Sequence, residues 1–128
     1  MSIRAVLVAA ALSLAPAAAF AHGTPPAPAH GGIVAEGSGE HWVELSVAGD
    51  QLTAWVSDED NKPIPAAQLG GKATVLVDGK TQTVPLSPAA DNSVTGKLAA
   101  PASGHVTAVL ALTAQGKPVQ VKFVLPAK

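Results

Sequence analysis

From position 32 onward, apolar and polar residues alternate with a period of two, and turn residues break the alternation roughly every eight to twelve positions. Successive side chains of a pleated strand point to opposite faces, so this period predicts half-buried β-strands. Strands are expected over 33–36, 40–48, 52–57, 72–77, 81–86, 93–98, 105–113 and 118–125. In the second, His41, Val43, Leu45 and Val47 share one face, and Trp42, Glu44 and Ser46 the other. Gly37-Ser38-Gly39 is read as the first turn, which would set Glu36 opposite Glu40. Gly49-Asp50 and Gln115-Gly116 are read as further tight turns. Asp78-Gly79, between two alternating runs, predicts a type I′ turn, whose two central residues need positive φ. The stretch 64–71, ending in Gly70-Gly71, lacks the alternation and reads as irregular.

No amphipathic helical pattern occurs in this region. Seven or eight strands with one apolar face each predict an all-β fold, an antiparallel β-sandwich of immunoglobulin-like size. It is expected over 32–128 as one domain, without internal repeats. Residues 22–31 (HGTPPAPAHG) hold three prolines, which lack a donor and favour polyproline II, so they predict an extended arm.

Residues 1–21 have the pattern of an export signal. Arg4 is the positive n-region, 5–14 an apolar core, and Ala19-Phe20-Ala21 the small-x-small cleavage pattern. The apolar run is too short to cross a bilayer, which takes about 20 residues. The expectation is an exported, periplasmic protein with no membrane span after cleavage. Its first residue would be His22, with an α-amine and an imidazole on one residue.

Composition narrows the chemistry. The chain contains no cysteine, and its one methionine is Met1. Disulfides, thiolate zinc sites and thioether ligation of Cu(I) are therefore excluded from the mature form. Nitrogen and oxygen donors remain, which suit Cu, Zn, Co or Ni as divalent ions. A formal net charge of −1 without a basic run argues against nucleic acid. Aromatic residues are 3% of the chain, so Val, Leu, Ile and Ala must build the core.

The histidines are His22, His30, His41 and His105, three of them within twenty residues of the expected cleavage point. His105 opens a strand without a sequence partner and reads as a surface residue. With the first turn as above, Ala35 faces His41 and His30 falls opposite Ser46. That places His30 and His41 on different faces and at different ends of the hairpin. Two sites fit: His22 with His30 and Glu44, or His22 with His41. The expected metal-site residues are therefore His22, His30, His41 and Glu44.

Residues 30–36 (HGGIVAE) and 39–45 (GEHWVEL) resemble the "HGG…E…H-x-x-E" N-terminal region of periplasmic adaptor proteins from heavy-metal resistance-nodulation-division efflux systems, and of small stand-alone relatives. Asp60-Asn61-Lys62-Pro63-Ile64, the hairpin around Asp78-Gly79 and the stretch 86–91 extend the likeness over roughly 29–125. The resemblance implies a periplasmic β-domain that handles divalent metal ions and works beside an efflux-pump component. It carries His30, His41 and Glu44 as the matching positions. The chain departs from complete adaptors in lacking their helical hairpin, lipoyl and barrel parts.

Three functions follow as expectations. The first is a metal-binding or metal-handling protein of heavy-metal efflux and resistance. The alternative is a metal-free sandwich module that binds a protein partner. Catalysis is the least supported: there is no G-x-S-x-G elbow, and a histidine-brace oxidase would need an axial aromatic that a chain without tyrosine does not supply. No enzyme is expected.

Overall fold

The computed structural model describes residues 24–102 and 104–125. The expected signal segment, its cleavage point and His22 lie outside the described residues.

Eight antiparallel strands form one nearly closed sheet in the order β1-β2-β3-β6-β5-β4-β7-β8. They are β1 (Ile33–Gly37), β2 (His41–Ala48), β3 (Gln51–Ser57), β4 (Leu69–Val77), β5 (Lys80–Pro88), β6 (Ser93–Lys97), β7 (Val106–Ala114) and β8 (Lys117–Leu125). The all-β expectation holds. β1, β2, β3 and β6 form one half, and β5, β4, β7 and β8 the other. β5 joins them, pairing with β4 over most of its length and with β6 only through Ser87↔Thr95 and Pro88↔Val94.

At the opposite seam, β1 meets β8. The Ser38 N–H donates to Gln120 O at 2.9 Å, and the Gln120 N–H donates to Ser38 Oγ at 2.9 Å. Gly37 makes this approach possible, because a Cβ there would stand 2.8 Å from Val119 Cγ1.

The inward positions of both halves build one apolar cluster. Val43, Leu45, Leu52, Val56, Val75, Leu110, Val119 and Phe123 are all buried in it. The two-residue periodicity is visible in β7 and β8, where buried residues alternate with exposed or half-buried ones. β2 is different. Its first five residues are buried on both faces, including Trp42 and Glu44 on the outer one.

The turns follow their chemistry. Asp78 and Gly79 have φ of 49° and 78°, and Gln115 and Gly116 have 52° and 77°, the paired positive values a type I′ turn demands. Gly49 alone is positive in its turn, at 61°.

Two expectations are corrected. The first hairpin pairs Gly37 with His41 and Ala35 with Val43, so Glu36 does not face Glu40 and Ala35 does not face His41. The loop is Ser38-Gly39-Glu40, closed by positive φ at Gly39 (70°) and Glu40 (62°), and a glutamate in that conformation is not readable from composition. The pairing moves by two residues, so His41 keeps its face. The stretch 64–71 is also only partly irregular. A 3-10 turn covers Ala66–Gln68 and β4 begins at Leu69, taking in Gly70 and Gly71. Gly71 is required there by contact: a Cβ would lie 2.3 Å from Ala111 O on the adjoining β7.

Candidate metal centre

Glu44 lies mid-way along β2, paired with Val34 on β1 and Trp55 on β3, and points away from the core. An uncovered carboxylate would be solvated there. Instead Glu44 is only 7% exposed, because the chain preceding β1 folds back across it. Gly31, at φ 73°, makes the reversal. Three backbone amides then converge on one carboxylate: Ala29 N–H donates to Oε1 at 3.0 Å, and His30 and Gly32 N–H donate to Oε2 at 2.8 and 2.9 Å. A fourth contact joins His30 Nδ1 to Oε1 at 3.0 Å. A side chain at position 32 would abolish the arrangement, since its Cβ would stand 2.4 Å from Leu45 O.

Burial by itself pushes the Glu44 carboxyl up. The hydrogen bond from the His30 ring and those from the Gly32, His30 and Ala29 amides more than offset it, and hold the group below its ordinary value of 4.5. The result is an ionised carboxylate with its acceptor positions filled. A carboxylate offers about four acceptor sites, and four donors meet this one.

The imidazole is fixed on two sides. An ionised carboxylate only accepts, so Nδ1 carries the hydrogen and Nε2 holds the lone pair in the neutral ring. One ring face stacks on Trp55, with centroids 3.9 Å apart and planes 3° from parallel. Glu44 and Trp55 are cross-strand neighbours, so a single step of the β2–β3 ladder places both partners. The His30 side chain remains 41% exposed, against 8% for Glu44, and no described residue hydrogen-bonds Nε2. The structure therefore holds one imidazole in a set orientation on a partly exposed side chain. A carboxylate behind the distal nitrogen is the arrangement that commonly orients metal-binding histidines.

The four expected residues separate as follows. His30 and Glu44 come together. Glu44 does so as the residue that orients the ring, because its own oxygens are taken. His41 is apart from them: it has the parity of Val43 and Leu45, is 8% exposed, and its Nδ1–H donates to Ser38 O at 3.2 Å across the first turn. His22 lies outside the described residues. His30 lies on the outer face, away from that of His41, as expected, but it does not continue the first hairpin opposite Ser46: the Gly31 reversal folds it back over Glu44. His105 is exposed before β7. Among the described residues, no group of three or more histidines and acids is arranged to hold an ion.

Trp55 is the member that residue-by-residue reading missed. Counting back from the Gly49-Asp50 turn pairs Ala48 with Gln51 and so Glu44 with Trp55, which is the available signal.

Comparison with protein-family models, with curated proteins and with solved structures finds no match, so the likeness to efflux adaptors rests on the residues quoted above.

Proposed function

We propose that this chain is a small periplasmic protein that binds and hands on divalent metal ions beside a heavy-metal efflux system. The observation that carries this reading is the His30 imidazole, backed by Glu44 through Nδ1 and by Trp55 on one face, on a side chain that is 41% exposed. The ion is cargo, and Cu, Zn, Co and Ni suit the donor. A single protein donor leaves most of the ion's positions open, which favours exchange over storage. The export signal and the resemblance to metal-efflux adaptors supply the compartment and the system. No helix among the described residues is long and apolar enough to cross a membrane.

Isothermal titration of the exported protein with Cu(II), Zn(II), Ni(II) and Co(II) tests the reading. Binding is expected in the wild type and in His41→Gln, and its loss in His30→Gln. Equal heats in wild type and His30→Gln, or no heat with any ion, would overturn it.

The second reading, a metal-free interaction module, draws on Leu76, Val109 and Val124, which are 40%, 41% and 63% exposed on the outer face of β4, β7 and β8. It expects partner capture to survive replacement of His30 and to fail when these three become polar.

A further inference from the structure

We propose that the outward face of β4, β5, β7 and β8 rests on an anionic lipid surface, with Leu76, Val109 and Val124 against the headgroup layer and lysines meeting lipid phosphates around them. The proposal is independent of the metal reading. Among the described residues, these three are the large hydrophobics left exposed, and all three fall on this one face. Strand register brings them together. Leu76 and Val124 flank Thr107 in one row across β4, β7 and β8, and Val109 stands two residues along β7, directly beside Lys122. Scattered exposed aliphatics need no explanation, but neighbours on one sheet face form a patch that marks a contact.

Charge selects what the patch meets. The four strands hold no aspartate or glutamate, and their charged residues are Lys72, Lys80, Lys117 and Lys122, all exposed. Asp78 lies in the turn between β4 and β5, its carboxylate against Gly104. Every acidic residue before it falls between positions 36 and 60, on β1 and β2 or in the loops of that half. A chain of net charge −1 is thereby divided into an acidic half and a cationic one, and the cationic one carries the exposed aliphatics. An anionic partner fits it. Tight protein interfaces are anchored by tryptophan, tyrosine and arginine, and these strands contain none of the three. Lysine is a point charge on a flexible stem. It suits headgroups with no fixed position, and its stem lies along apolar surface while the ammonium reaches phosphate.

Co-sedimentation of the protein with vesicles tests this, using phosphatidylcholine alone and phosphatidylcholine mixed equally with phosphatidylglycerol. Binding is expected to the mixed vesicles only, and to weaken steeply as salt screens the charges. The double variant Lys72→Gln with Lys122→Gln should bind roughly 30-fold more weakly. Changing Leu76, Val109 and Val124 together to Ser keeps every charge and should also weaken binding. Lys62→Gln with Lys97→Gln, in the other half, should bind as wild type, and circular dichroism checks that each variant is folded. Binding to neither vesicle would overturn the proposal and leave the face to a protein partner. Equal binding to both vesicles would overturn the role of charge. Binding unchanged by the Ser variant, or lost in Lys62→Gln with Lys97→Gln, would overturn the assignment to this face.

Discussion

Glu44 decides the chemistry of this protein at the scale of single residues. A glutamate facing outward from mid-strand would ordinarily be solvated, and here four donors replace the water. Glu44→Gln removes the charge and turns an amide N–H2 toward amide donors, so about 1–3 kcal/mol of stability should be lost, measured by urea unfolding. A loss under about 0.5 kcal/mol would mean that the clamp contributes little. The pH response has a definite sign. Folding lowers the carboxyl below its ordinary 4.5, so its stabilisation is complete above that value and is lost as pH falls through the depressed one. In the metal-free protein, the Ala29, His30 and Gly32 amide resonances should therefore hold their folded positions down to about pH 4.5 and move below it. Movement already finished at about pH 6 would contradict the assignment. The pairing of His30 with Glu44 was partly legible in the sequence, as one of two candidate sites. The three converging amides were not, because they depend on the positive φ of Gly31, and Gly31-Gly32 reads equally well as a loose hinge.

Among the elements, the hairpins followed their turn residues closely and the irregular segments did not. Asp78-Gly79 and Gln115-Gly116 announce themselves because few residue pairs tolerate two positive φ values. Glu40 and Asp91 adopt positive φ without any such signal, at 62° and 58°. The first hairpin was thus misjudged by two residues, yet parity survived and the faces were assigned correctly. Gly70 and Gly71 mislead in the other direction, since glycines suggest a break while here both lie within β4, and Gly71 lets it run close beside β7. Gly71→Ala places a Cβ 2.3 Å from Ala111 O, so the β4–β7 ladder must shift, at a cost of about 1–3 kcal/mol. Thermal unfolding measures this, and an unchanged midpoint would show the ladder to be more compliant than the contact implies.

The whole molecule has an unusual balance for a small all-β domain: no disulfide, few aromatics and a core of aliphatic side chains from eight strands. Burial must then do most of the stabilising, and Phe123 is the largest fully buried side chain among the described residues. Phe123→Ala should cost about 3–5 kcal/mol, read from denaturant midpoints. The seam between β1 and β8 is the point where closure is incomplete, held by the reciprocal bonds of Ser38 and Gln120. Ser38→Ala removes one of them and should speed hydrogen exchange at the Gln120 amide with little change in global stability. A fall in stability as large as that of Phe123→Ala would mean that the seam, not the core, closes the fold. Sequence alternation exposed the strand number and the core. It could not reveal which strands would end as neighbours across the seam, because that follows from strand order and not from any local pattern.

The account turns on the state of one imidazole, which ring-nitrogen NMR of His30 reports directly. In metal-free protein near neutral pH, the neutral ring should carry its hydrogen on Nδ1, and added Zn(II) should shift the Nε2 resonance while Nδ1 keeps its hydrogen and its bond to Glu44. A hydrogen found on Nε2, or an Nε2 resonance indifferent to saturating Zn(II), would contradict it.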